Sequence, residues 1–156
     1  MRRFAWRLQR VLDIKTKQEQ TERARLFAIT EKLAQTRGEL LMQKRILKNM
    51  IRDLAKLPAK KRLAEQEFFL KCSKINDQLI EKLKNTVTEL ETQQKEKIAD
   101  VLKLKQFKEG LEKLRAEAKQ EFITQQEKLE QKRSDEMTAI GFSRKILRKE
   151  KINNSN

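Results

Sequence analysis

The chain has 156 residues, 39% of them charged, with three Gly, one Pro, no Tyr and no His, and a formal net charge of +15. Lys, Glu, Gln, Leu and Ala dominate while turn formers are nearly absent, which argues for long helices and against a layered globular core. The absence of His removes the commonest general base and metal ligand, and three isolated glycines exclude a Gly-rich phosphate loop, so the composition points away from an enzyme and implies no cofactor or metal.

The first predicted helix runs from about residue 4 to about residue 56. Leu26, Leu33, Leu40, Leu47 and Leu54 recur every seven residues. A helix turns once in about 3.6 residues, so this row lies on one stripe. The companion row is Ile29, Thr36, Gln43, Met50 and Leu57. Such a stripe is buried only against another long helix. Carried backwards, the register gives Leu12 and Leu8, but between Leu12 and Leu26 it passes through Lys15, Glu19 and Glu22. That polar stretch is either an ordinary weak layer or a segment that can open to a partner.

Pro58, in Leu57-Pro58-Ala59-Lys60-Lys61-Arg62, is the only proline and marks the predicted bend, over about 57–62. The second predicted helix runs from about residue 63 to about residue 147. Its seam reads Ile80, Leu83, Val87, Leu90, Gln94, Lys97, Val101, Leu104, Lys108, Leu111, Arg115, Ala118, Phe122, Gln125 and Leu129. Lys and Arg stems can lie along such a seam with their charges held out. Ahead of it, Phe68, Cys72, Ile75 and Leu79 keep the three-four spacing in a shifted phase. Gly110 falls inside this helix, at a cost of about 1 kcal/mol or as the mark of a bend. Cys72 is the only cysteine, so no disulfide forms within the chain; it reads as a small interface residue or as a reactive thiol.

These elements predict an all-α fold, an antiparallel coiled-coil hairpin of two long helices, the second longer, forming a single coiled-coil domain over 1–156. The first helix would cover the second only to about Arg115. Phe122, Leu129, Met137, Ile140 and Phe142 would then lie on an overhang that a partner or a second copy buries. Arg144-Lys145-Ile146-Leu147-Arg148-Lys149 reads either as a basic amphipathic turn suited to anionic lipid or as a solvated helix end. The tail, about 150–156, is expected to be disordered.

Residues 1–57 carry 15 Lys/Arg against 6 Asp/Glu, and the remainder of the chain is more nearly balanced. A basic first helix favours acidic partners. Arg2, Arg3, Arg7 and Arg10 ahead of a leucine row suggest a DNA-binding zipper. Against it, Asp13, Glu19 and Glu22 separate the arginines from the row, and the chain continues past Pro58 into a longer helix. A general scaffold or chaperone rod is the other alternative. No apolar h-region follows Met1-Arg2-Arg3-Phe4-Ala5-Trp6-Arg7 and no run is long enough to span a membrane, so the expected compartment is the cytoplasm.

The ends of the chain carry a resemblance. Phe4-Ala5-Trp6-Arg7-Leu8-Gln9-Arg10-Val11-Leu12 resembles the F-x-[FW]-R-L-Q-x-V-L signature of the FliJ family of flagellar type III export proteins. Glu130-Gln131-Lys132-Arg133-Ser134-Asp135-Glu136 resembles that family's E-x-K-x-x-D-E stretch, and Phe142-Ser143-Arg144 follows. The resemblance implies a central stalk, similar to the coiled coil of the rotary ATPase gamma subunit. Such a stalk inserts into the hexameric export ATPase and promotes its assembly. It also implies contact with the cytoplasmic domain of the membrane export gate, binding of export chaperones, and a place at the cytoplasmic side of the inner membrane. By position, the residues facing the ATPase would be Phe4, Trp6, Arg7, Leu8, Arg10 and Leu12 with Arg133, Asp135, Glu136, Met137, Ile140 and Phe142. The gate would meet roughly residues 40–57 and 63–83. Phe4 and Trp6, read as exposed aromatics, either anchor in a partner's pocket or staple the N-terminus near Met137 and Ile140.

Overall fold

The computed structural model describes residues 2–155. Among these the protein is all-helical. Helix α1 is Gln9–Ala55, of 47 residues, and α2 is Ala59–Asn153, of 95 residues. The residues gather into two compact units, one of residues 15–106 and one of residues 2–14 with 107–155.

The unit of residues 15–106 is a helical hairpin. Helix α1 ends because Leu57 precedes Pro58, which disfavours helix at the residue before it. The Pro58 carbonyl accepts from the backbone N–H groups of Lys61 and Arg62, both at 3.1 Å, so Pro58 opens α2. Its fixed φ suits that position, and Ala59-Lys60-Lys61-Arg62 are ready helix formers. This is why α2 starts four residues before the predicted 63. Arg62 then reaches back: its Nη2 donates to the Leu57 carbonyl at 2.9 Å and to the Ala55 carbonyl at 3.4 Å. A cation over the unsatisfied carbonyls of a helix end is favourable both as a hydrogen-bond donor and against the helix dipole.

Within the hairpin the buried stripe of α1 is Leu26, Ile29, Leu33, Thr36, Leu40, Gln43, Leu47, Met50 and Leu54, each buried or half-buried. Leu33 is 2% exposed and is the most enclosed apolar side chain. On α2 the matching stripe holds Ile80, Leu83, Val87, Leu90, Val101 and Leu104. The helices are antiparallel: the Gln94 side chain donates to Thr30 Oγ1 at 3.3 Å, and Arg37 pairs with Glu91 at 2.8 Å.

Before Ile80 the seam departs from the shifted phase expected for α2. Phe68 and Ile75 are well exposed, at 62% and 68%, as is Leu79, whereas Phe69, Ser73 and Asn76 face inward. A continuous helix keeps one phase, and three-four steps back from Ile80 land on Asn76, Ser73 and Phe69. Asn76 is therefore buried although it is polar. Its amide donates to the Gln43 carbonyl at 3.4 Å, and its Oδ1 has no hydrogen-bond partner. Cys72 is half-buried and is a free thiol. Helix α2 runs unbroken through Gly110, where an added Cβ would meet nothing within 4 Å.

In the other unit, Leu12 of α1 and Leu111 of α2 are the buried apolar pair, at 8% and 7% exposed. Among the described residues the chain is not helical before Gln9. Residues 2–6 form an irregular arm that turns into α1 where the Gln9 N–H donates to the Trp6 carbonyl at 3.2 Å. The arm covers α2 further than the predicted helix would, because Phe4 meets Phe122 with ring centroids 5.6 Å apart. Gln9 contacts Arg115, so five arm residues must match seven residues of α2, about 10 Å. Five helical residues reach only about 7.5 Å, whereas five extended residues reach up to about 17 Å. Phe122 is thus covered and is not part of the overhang.

Further along α2, Gln126 is half-buried where the sequence pattern expects Gln125, and Leu129 is exposed. The arm is not a helix and imposes no 3.5-residue repeat on what it covers. From residue 127 onward every described side chain is exposed. The expected disordered tail is helical to Asn153, with Asn154 and Ser155 in a closing turn; Met1 and Asn156 lie outside the described residues.

Leu33→Ala should lower stability by about 3 kcal/mol, the usual cost of a Leu-to-Ala cavity, while Phe27→Ala, on the exposed face, should leave the thermal melt nearly unchanged. Equal melts for the two variants, followed by circular dichroism at 222 nm, would contradict this seam. Asn76→Leu should raise stability by about 1 kcal/mol, since it removes an unpaired buried carbonyl oxygen. A lower melting temperature for that variant would mean that Asn76 is satisfied in solution.

Candidate functional site

The residues expected to face a partner fall into two sets on one unit, and the structure treats them differently. The N-terminal set is partly packed. Phe4 and Trp6, read from sequence as exposed, are both half-buried, and Leu12 is in the core. Leu8 is at the edge of exposure, while Arg7 and Arg10 are fully on the surface.

Phe4 is held from two sides. Its ring tilts at 53° to that of Phe122, and the Arg115 guanidinium lies 6.0 Å from its centroid. Tilted aromatic pairs and a cation over a ring face are both attractive through the ring quadrupole. Arg115 is itself fixed, because its Nε donates to Gln9 Oε1 at 2.8 Å, and the Gln9 amide donates to Asp13 Oδ1 at 3.0 Å. The arm is therefore stapled to α2, but at Phe122 rather than near Met137 and Ile140. Sequence reasoning missed Arg115 and Phe122 as the residues that seat Phe4. The signal available was Phe122 itself, the one aromatic on the distal seam, within reach of Phe4 only if the residues before Gln9 are not helical.

The C-terminal set, Arg133, Asp135, Glu136, Met137, Ile140 and Phe142, lies on α2 beyond Gln126, and all six side chains are exposed. The structure does not bring this set against the N-terminal one. Met137 is 75% exposed and Phe142 is 64% exposed, on a single helix with nothing packed over it among the described residues. The bare segment from residue 127 to Asn153 is about 40 Å long at 1.5 Å per residue.

The polar stretch of α1 belongs to the hairpin unit and is tightly paired there. Glu19, 3% exposed, takes an ion pair from Arg23 at 2.8 Å, four residues on. Glu22 is bound at 2.8 Å by Lys97 across the seam and at 2.8 Å by Arg25 on its own helix. The hydrogen bond and charge of Lys97, with a smaller contribution from Arg25, hold the Glu22 carboxyl below its ordinary pKa. The layer is a clasp between the helices, and Lys97 keeps its place on the seam because Glu22 faces it.

Among the described residues no cluster of His, Cys, Asp or Glu suits a metal ion, and no helix is long and apolar enough to cross a membrane. The irregular arm carrying the Phe-x-Trp motif, a hairpin of unequal helices and the exposed distal helix then meet a family-level finding: the model of the flagellar FliJ protein matches residues 4–147. The chain belongs to the FliJ family. No curated protein and no solved structure matches it. FliJ is a non-catalytic component of flagellar export, so this chain has an export-related role and interacts within the flagellar export apparatus. The FliJ match takes in Phe4 and both sets of expected contact residues. It stops at Leu147, whereas α2 continues to Asn153.

The Glu22 clasp sets a pH dependence. A carboxyl whose folded pKa is lowered adds stability above its unfolded pKa, about 4.3, and that stability is lost as pH falls through the folded value. Glu22→Gln should therefore melt below wild type at pH 7, and the two melting curves should converge towards pH 3. A gap between the curves that stays constant from pH 7 to pH 3 would exclude this role for Glu22.

Proposed function

We propose that this chain is the stalk of the flagellar export ATPase. It inserts into the hexameric ring, promotes assembly of the ring, and couples it to the cytoplasmic domain of the export gate at the cytoplasmic side of the inner membrane, where it also receives export chaperones. The observation that carries the reading is the bare distal helix, which leaves Arg133, Asp135, Glu136, Met137, Ile140 and Phe142 open on the same unit as Arg7 and Arg10. Membership of the FliJ family supports the setting.

The N-terminal residues take two roles in this reading. Phe4 and Leu12 fix the arm and the start of α1 on α2. Arg7, Arg10 and the open edge of Trp6 then meet acidic loops of the ring. Cations at the rim of an interface steer encounter, while exposed apolar side chains such as Met137 and Phe142 supply buried area once docked. Contact with the gate falls to the hairpin, where Leu41, Met42 and Ile51 on α1 and Leu63, Phe68 and Ile75 on α2 stand exposed within 40–57 and 63–83. Exposed apolar groups in that number on a charged surface favour a protein partner.

Purified export ATPase mixed with the wild-type chain should show more hexamer on sizing and faster ATP turnover. Arg7→Glu combined with Phe142→Ala should weaken binding at least about tenfold, equivalent to about 1.4 kcal/mol, and abolish the stimulation. Both side chains are exposed, so the variant should keep the wild-type helical signal. A wild-type chain that neither binds nor stimulates the ATPase would end the stalk reading.

A further inference from the structure

The last turns of α2 carry a two-faced pattern of which the stalk reading uses only Ile140 and Phe142. At about 100° per residue, Ala139, Ile140, Phe142, Ile146 and Leu147 fall within one arc of about 160°. Arg144, Lys145, Arg148, Lys149 and Lys151 fall within the opposite arc, also about 160° wide. Ser143 and Glu150, on the apolar arc, and Ile152, on the basic one, break the separation. The segment is helical to Asn153, every side chain on it is exposed, and its five cations face the single acid Glu150.

We propose that residues 139–152 form an interfacial helix that binds the surface of an anionic lipid bilayer. The choice of a bilayer follows from the geometry. A partner helix or groove seated on the apolar arc would leave the five cations on the far side. Nucleic acid gripping the cations would leave Phe142, Ile146 and Leu147 in water. Only a layered partner, apolar beneath and anionic above, engages both arcs at once. A helix lying at the boundary between acyl chains and headgroups buries its apolar face by about 5–10 Å and keeps its cations among the phosphates. The favourable placement of cations at a helix C-terminus extends only over the last turn, so it accounts for Lys151 but not for Arg144 or Lys145.

Ile140 and Phe142 also belong to the face proposed for the ATPase, so the test is placed on residues outside that set. The full chain should sediment with vesicles of phosphatidylcholine and phosphatidylglycerol (3:1) in 0.1 M salt and stay in solution with phosphatidylcholine alone. Each cation near an anionic surface is worth about fivefold in partitioning, so replacing Lys145, Arg148, Lys149 and Lys151 together by Gln should weaken binding about several hundredfold. Ile146→Gln with Leu147→Gln should weaken it at least about tenfold, because the apolar face is then interrupted. Both variants lie on an exposed helix and should keep the wild-type melt.

Failure of the wild-type chain to bind the anionic vesicles overturns the inference. So does undiminished binding by the Ile146/Leu147 variant, which would assign the cations to a simple polyanion site such as nucleic acid. ATPase stimulation by the wild-type chain is read separately: its loss would strike the stalk reading and leave the vesicle result standing.

Discussion

The controlling constraint on this protein is that a helix has one phase. Once Leu33 and Leu90 are committed to the seam of the hairpin, every residue at a three-four step from them is carried inward whatever its chemistry. Thr36, Asn76 and Glu19 are all buried for that reason. Each is then dealt with locally. The Thr36 hydroxyl donates to the Lys32 carbonyl at 2.8 Å, Asn76 donates to Gln43, and Glu19 pairs with Arg23. A compact domain could have turned such side chains out by moving a loop. Two long helices have no such freedom, and the polar layers are the result.

The same constraint explains which parts were legible in the sequence. The leucine row of α1 is strictly periodic, so its burial and its partner stripe from Ile80 to Leu104 follow from the repeat alone. The stretch before Ile80 was misread because Ile75 is more apolar than Asn76, and local hydrophobicity pointed one residue aside from the global phase. The start of α1 was misplaced for a different reason. Phe4-Ala5-Trp6-Arg7-Leu8 has no strong helix signal and no breaker, and the contact of Phe4 with Phe122 on α2 needs an arm that is not helical. A tertiary contact overrode a weak local preference there, as it commonly does. The exposed set from Arg133 to Phe142 was legible because length alone left α2 uncovered. The pairing of Phe4 with Phe122 and Arg115 was not, because it needs a non-helical backbone that no repeat encodes.

Charge has two separate duties in this molecule. A few charges are fixed in place: Glu22 between Lys97 and Arg25, Arg37 on Glu91, Arg62 over the end of α1. They set register and cap helix ends, and at the exposed positions they contribute little to stability. The chain as a whole carries a net charge of +15. That surplus opposes close approach of like copies at the surface on which Phe27, Phe68, Met137 and Phe142 stand exposed.

The irregular arm has one more consequence, for the order in which the chain closes. Asn76 and Gln43, near the bend, are 33 residues apart in sequence, whereas Gln9 and Arg115 are 106 apart. The entropy lost in joining two points of a flexible chain rises with the length between them, so contacts beside Pro58 form at least cost and those of the arm at greatest cost. Closure spreads from the bend like a zip fastener, and the seat of Phe4 on Phe122 is its last tooth. That seat does not exist until the ribosome has added Phe122. By loop length alone, the segment bearing the Phe-x-Trp motif settles after the contacts beside Pro58.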